Sequence, residues 1–178
     1  MFFCLLIFAF CATPLQAEND QHTFAEALVI TGDEMQYEPQ KNESYVVGHA
    51  KAQRSPTEKN SWSQHILTAD TFCVQFRSQG LSSEKNIQSI QAQGHVCFRD
   101  KDFEIKAEQC IYYPPDVPKS DTAERIVCKT KVTLKKGKHV LKGDQGEVNL
   151  KTGLYQVTTT SPTHPVEAVI MPQPSKTS

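Results

Sequence analysis

No nucleophile elbow, glycine-rich phosphate loop or His/carboxylate cluster at metal-ligand spacing occurs in the 178 residues, so neither catalysis nor a cofactor is expected. Excess basic charge is absent too. Lys and Arg number 19 against 20 Asp and Glu, the formal net charge is −1 and the pI lies near 6.6, so nucleic acid is not an expected partner. No stretch of about ten residues or more repeats its apolar positions at the helical period, which leaves strands as the expected element. Cys73, Cys97, Cys110 and Cys128 are separated by 24, 13 and 18 positions, without the short Cys pairs of a zinc site, and no metal is expected.

One long apolar run is present, at the start. Phe2 to Phe10 is almost unbroken and is followed by Thr13-Pro14 and Leu15-Gln16-Ala17. Its length suits the h-region of a secretory signal and falls short of a membrane span. Cleavage is expected after Ala17, giving a signal peptide over residues 1–17 and an exported chain. No Lys or Arg precedes the run and Leu15 is bulky for its place, so a retained anchor is the alternative. Cys11 is a poor lipoprotein cysteine because Phe10 stands before it. An even number of cysteines in an exported chain points to disulfides.

The remainder is organised by a repeated phrase: Ile30-Thr31-Gly32-Asp33, Leu67-Thr68-Ala69-Asp70, Ile105-Lys106-Ala107-Glu108 and Leu141-Lys142-Gly143-Asp144. The acidic residues lie 37, 38 and 36 positions apart, a period that marks a repeat architecture. A fainter phrase trails three copies, at Gly48-His49-Ala50, Gly94-His95-Val96 and Thr130-Lys131-Val132. Around these registers apolar and polar residues alternate in runs rich in Val, Ile, Thr, Tyr and Phe, the pattern of antiparallel strands. Turns are expected over 38–43, 55–61, 77–86, 114–122, 135–138 and 151–153, and residues 173–178 read as a polar tail.

The alternation changes parity at each carboxylate. Upstream, the apolar positions are Ile30, Leu67, Ile105 and Leu141; downstream they are Met35 and Tyr37, Phe72 and Val74, Cys110 and Tyr112, and Val148. A straight strand would send those two sets to opposite faces. Keeping one face buried therefore requires a bend or bulge at Asp33, Asp70, Glu108 and Asp144. These carboxylates are expected outside the corner, accepting hydrogen bonds from main-chain N–H groups. Return strands would bury Val46, Gly48, Ala50 and Ala52, then Ile90, Ala92, Gly94, Val96 and Phe98, then Ile126, Cys128, Thr130, Val132 and Leu134. On this register Cys110 and Cys128 point inward and Cys73 and Cys97 outward, each pair flanking one hairpin. Cys110–Cys128 and Cys73–Cys97 are the favoured pairings, with free cysteines as the alternative.

The ordered set I-x-G-D-x-x-x-Y, G-x-A, L-x-A-D, A-x-G-x-V, L-K-G-D and T-G-x-x-x-V, behind a signal peptide, resembles the OstA-like (LptA-like) family over about Leu28 to Pro172. The ending Pro165-Val166-Glu167-Ala168-Val169-Ile170-Met171-Pro172 is similar to the family's closing strand. Two departures are visible. The family's Gly-Asn is Gly48-His49 and Gly94-His95 here, and Thr130-Lys131 loses the motif; as surface positions these should bear little on the fold.

The resemblance implies an all-β, twisted antiparallel β-jellyroll over residues 18–172, open-ended with an apolar interior, in the Gram-negative periplasm. It implies lipopolysaccharide as cargo, held by Ile30, Met35, Tyr37, Leu67, Phe72, Val74, Val96, Phe98, Ile105, Tyr112, Val132, Leu134, Leu141 and Val148. Read from the residues alone, the same set is a solid core. The family also implies a head-to-tail homo-oligomer, with an LptC-like inner-membrane protein and an LptD-like outer-membrane protein joined by strand addition. The edges would be Leu28, Val29 and Ile30 at one end and Val166, Ala168, Val169 and Ile170 at the other. An LptC-like anchored protein and a lipid-free structural β-repeat are the alternatives. Lys129, Lys131, Lys135, Lys136, Lys138 and Lys142 form a local basic cluster, able to meet phosphates or simply to be solvated. His65 and His139 occupy equivalent repeat positions, as rim or core residues before a ligand pair.

Overall fold

The computed structural model describes residues 28–54, 65–78, 85–115, 124–160 and 165–170. The expected signal peptide and the tail lie outside the described residues. Alternating Val, Ile, Thr and aromatic residues form ten strands, with no helix among the described residues. They are β1 (Leu28–Thr31), β2 (Glu34–Glu38), β3 (Glu43–Arg54), β4 (Ile66–Ser78), β5 (Lys85–Arg99), β6 (Phe103–Tyr113), β7 (Arg125–Lys136), β8 (His139–Asn149), β9 (Tyr155–Thr158) and β10 (Glu167–Val169). All belong to one antiparallel sheet, ordered β1-β3-β4-β5-β6-β7-β8-β10, with β2 also beside β3 and β9 beside β8. The turn at Asp100-Lys101-Asp102, between β5 and β6, was not among the expected turns, although two Asp residues flank it.

Each long strand is crossed near its middle by the same register shift. From Leu67 to Phe72 is five steps along β4, whereas their partners Phe98 and Ala92 are six steps apart on β5. Shifts at the same level occur between Val47 and Ala50, Gln93 and Val96, Lys106 and Gln109, and Lys129 and Val132. The bulge expected at the repeated phrase is therefore present, but the extra residue belongs to the return strands. It falls at Gly48-His49, Gly94-His95 and Thr130-Lys131, and all six residues have positive φ, from 45° to 77°. Two successive left-handed residues turn the return strand while its apolar parity is kept; the carboxylate strand changes parity instead. Thr130, expected inside, is exposed for this reason.

The row of bulges divides the sheet into two half-sheets that fold toward each other. The first contains β1, β10 and the segments of β3–β8 near Ala52, Leu67, Phe98, Ile105, Leu134 and Leu141. The second contains β2, β9 and the segments near Val46, Phe72, Ala92, Cys110, Cys128 and Val148. Their facing sides bury one continuous core, including Phe72, Phe98, Ile90, Ile105, Ile126 and Leu134. Each such side chain contributes roughly 1.5–3 kcal/mol when fully buried.

Cys110 and Cys128 are directly opposite on β6 and β7, face that core and form a disulfide. Cys73 and Cys97 do point outward, but they are free thiols and the expected Cys73–Cys97 bond is absent. Cys73 pairs with Gln91 and Cys97 with Thr68, on opposite sides of the bulge row. The five residues from Thr68 to Cys73 correspond to on the order of 15 Å of strand, far beyond disulfide reach.

The bulge geometry makes a signed prediction. Gly94→Ala should destabilise by about 1–2 kcal/mol, because φ is +77° and an added Cβ runs into the Asp70 carboxylate. Thr130→Gly should instead stabilise, by up to about 1 kcal/mol, since a β-branched residue there already carries left-handed strain at φ 65°. Urea unfolding of the two variants checks both signs.

Candidate functional site

The interior between the half-sheets is the natural candidate site. Leu67, Phe72, Val74, Val96, Phe98, Ile105, Tyr112, Val132, Leu134 and Val148 all line it and are at most 4% exposed, while Ile30 and Leu141 pack at its margins. Side chains so thoroughly shielded from water-sized contact leave no open channel beside them. The cleft next to Leu28, Ala52, Leu67, Phe98 and Tyr112 holds about 10 Å³, room for about one water. A hollow of about 490 Å³ lies instead on the outer side of the second half-sheet, beside Tyr45, Cys73, Gln91 and Ile111. In this state the interior is a filled core, as the residues read alone had implied.

Met35 and Tyr37 depart from the expected interior set, being 56% and 40% exposed. Their register partners Val46 and Ser44 are buried, so the two side chains are on the inner face but lack a cover. The half-sheets face one another with an offset. Arg54, ending β3 in the first, reaches Tyr112 of β6 in the second; Lys136 of β7 reaches Tyr155 of β9. The inner side of β2 is thereby left beyond the overlap, with Tyr37 packed edge-on against Phe76 at 6.1 Å. At the other extreme Ala168 and Val169 of β10 are likewise exposed.

Both terminal strands of the first half-sheet keep one side of the backbone ladder unpaired among the described residues. β1 bonds only β3, and β10 bonds only β8. Leu28 and Ile30 face inward, whereas Val29, Val166, Val169 and Ile170 are exposed. The apolar edges expected at the two ends are thus present at opposite margins of the sheet.

Opposite the bulge row, the strand tips of the half-sheets meet at a mouth bridged by polar side chains. Arg54 donates from Nη1 to Glu124 Oε2 and from Nη2 to Tyr112 Oη, each at 3.1 Å. Tyr112 donates its hydroxyl hydrogen to Glu124 Oε1, and His65 Nδ1 donates to the same oxygen at 3.3 Å. His65 Nε2 lies 3.6 Å from Asp100 Oδ1, and its ring packs 5.7 Å from that of Phe98. Burial works to raise the Glu124 carboxyl, but hydrogen bonds from His65 and Tyr112 and the charge of Arg54 outweigh it and hold the group below its usual range. His65 is thus a rim residue; His139 is exposed on the β7–β8 hairpin, and no described contact joins the two. The roles of Arg54, Asp100 and Glu124 were missed in sequence, since isolated charged residues at strand ends carry no repeat signal.

On the outer ridge the repeated carboxylates face the bulge residues. His49 Nδ1 donates to Asp33 Oδ2 at 2.8 Å, His95 Nδ1 to Asp70 Oδ2 at 2.9 Å, and Lys131 Nζ to Glu108 Oε1 at 3.0 Å. Among the described residues only Asp144 shows the expected main-chain donor, Thr160 N at 2.9 Å, together with Thr159 Oγ1 at 2.8 Å. The two histidines are surface residues, as expected, and in addition pair with the repeated carboxylates. The remaining lysines of the basic cluster are exposed; Lys142 pairs with Glu167 and Lys136 covers the Tyr155 ring.

Hydrogen bonding to Asp33 and Asp70, then their charge, raises the His49 and His95 pKa values. Protonation accordingly favours the folded chain. That contribution is whole below the unfolded imidazole value of 6.5 and is lost as pH rises through the folded values. Both rings are highly exposed, so solvent screening keeps it small. Raising the pH from about 6 to about 8.5 should lower the thermal midpoint slightly, and His49→Gln with His95→Gln should flatten that slope. Cys110→Ser with Cys128→Ser should cost about 3 kcal/mol, the value for a loop of this size, whereas Cys73→Ser and Cys97→Ser should change stability little. Denaturant midpoints of the two double variants compare them.

No protein-family model matches the chain, and no curated protein matches it in sequence. Among solved structures it is similar to LptH of Pseudomonas aeruginosa, described as the LptA-homologous periplasmic component of the conserved lipopolysaccharide transport device. The match has a TM-score of 0.59 and 15% identity, and covers 83% of this chain and 96% of that one. At this identity the likeness is one of fold alone.

Proposed function

We propose that this chain is a non-enzymatic periplasmic carrier that takes lipopolysaccharide acyl chains between its half-sheets. The observation that carries the reading is the form of the interior: one apolar inner surface runs the length of the sheet, yet among the described residues backbone joins its two sides only along the bulge ridge. Opposite the ridge, among the described residues, only side chains meet, so these strands can part without breaking a ladder. Acyl chains would then replace contacts among Phe72, Phe98, Ile105 and Leu134. Each methylene removed from water contributes about 0.8 kcal/mol, so a dozen supply on the order of 10 kcal/mol toward that parting. The structural likeness to LptH, itself a component of a lipopolysaccharide transport device, supports the same reading.

The unpaired edges complete it. Strand addition between the β10 edge, with Val169 and Ile170, and the β1 edge of a second copy would satisfy both ladders and continue the apolar inner surface past Met35 and Ala168. Because the two edges differ, such contacts are heterologous and propagate head to tail. The same edges would accept an LptC-like protein at one end and an LptD-like protein at the other. Lys135, Lys136 and Lys138, at a hairpin tip beside the mouth, would lie near the phosphates of a cargo held inside.

A photoreactive phenylalanine analogue at position 72 or 98 tests the carrier role. Irradiation with lipopolysaccharide should give a covalent lipid adduct from both sites, and a control at exposed Lys106, on the outer face of β6, should give none. A chain that remains folded but yields no adduct from either interior position is not a lipid carrier.

A further inference from the structure

The carrier reading leaves open how cargo reaches a core that is closed in this structure. The described ties across the mouth are of two kinds. One is the exposed Lys136 lying 5.3 Å above the Tyr155 ring. The other is the cluster of Arg54, His65 and Asp100 from the first half-sheet with Tyr112 and Glu124 from the second. The side chains of Arg54, Glu124, His65 and Asp100 are 11–17% exposed, and directly behind them are Leu67 and Phe98 of the core. A seal of aliphatic side chains at this point would expose apolar surface every time it opened. Charged groups behave otherwise. Their attraction is set against the hydration surrendered on closing, so a well-paired buried cluster comes close to breaking even. When the tips separate, each member regains water.

We propose that the Arg54–His65–Tyr112–Glu124 cluster is the gate through which acyl chains reach the interior, holding the half-sheets shut when empty and parting at the strand tips for loading. Glu124 is its centre, since it accepts from Arg54, Tyr112 and His65 at once. The assignment rests on the carrier reading and adds to it a place and a set of residues. It also accounts for a polar cluster positioned where the core would otherwise continue as apolar contacts.

The test uses the full chain carrying Cys73→Ser and Cys97→Ser, with Arg54→Cys and Glu124→Cys added. One portion is bridged with a short bis-maleimide and another is capped at both thiols with N-ethylmaleimide. Lipopolysaccharide association is then followed against the Cys73→Ser/Cys97→Ser parent. The bridged form should load at least about ten-fold more slowly than the capped form, with both still folded. Equal loading by bridged and capped forms overturns the gate while leaving the carrier reading intact; no loading by the parent overturns both. Failure of the bridge to form would show that the tips do not meet in solution, and would also overturn it. Glu124→Gln, which preserves side-chain shape and removes the charge facing Arg54, should load faster than the parent by about three-fold or more. An unchanged rate in that folded variant counts against Glu124 as the centre of the gate.

Discussion

A strand with side chains alternating at period two cannot turn a sharp corner and keep the same face buried unless the residue count changes at the corner. In this protein that count changes at one level in every long strand, and the rest of the fold depends on it. Two left-handed residues on each return strand stand opposite a carboxylate strand that is one residue shorter across the bend. Because the register shifts align from β3 to β8, the bends add into a ridge and one sheet becomes two facing halves. Without that alignment the same strands would form a flat sheet with a single apolar face open to water.

The ridge also sets the electrostatics of the outer surface. Asp33, His49, Asp70, His95, Glu108, Lys131 and Asp144 follow one another across the sheet, with opposite charges adjacent and each carboxylate held by a neighbour. These exposed pairs contribute little individually. Their consequence is positional: they hold the bulge side chains over the corner whose backbone the left-handed residues bend. At the mouth the arrangement is reversed, with charges enclosed and in mutual contact. The molecule is thus closed covalently at the ridge and by polar side chains at the mouth, with apolar residues filling the space between.

Much of this was legible in the chain itself. The repeat period and parity change placed Leu67, Phe72, Val96, Phe98, Ile105 and Val148 inside, and a shared face with a hairpin between favoured Cys110–Cys128, which forms, alongside Cys73–Cys97, which does not. Other readings failed for specific physical reasons. Cys73 and Cys97 share a face, but parity carries no information about distance along a strand, and the bulge row separates them. Met35 and Tyr37 have the correct face yet are uncovered, because coverage depends on the offset between half-sheets. His49 and His95 do lie on the surface, as expected, and only their pairing with Asp33 and Asp70 was missed; the clue was that Gly-Asn pairs tolerate left-handed backbone, which a histidine can also adopt.

By itself the sequence determined the strands, their inner faces and the level of the bends, because those follow from local alternation and a repeat that brings equivalent residues to equivalent places. Tertiary structure alone decided how far the half-sheets overlap and that Arg54, His65, Asp100, Tyr112 and Glu124 meet. Those outcomes depend on twist and on contacts between strand tips distant in the chain, such as Arg54 and Glu124, 70 residues apart. No periodicity along a chain encodes which of its charged strand ends will share one patch of buried surface.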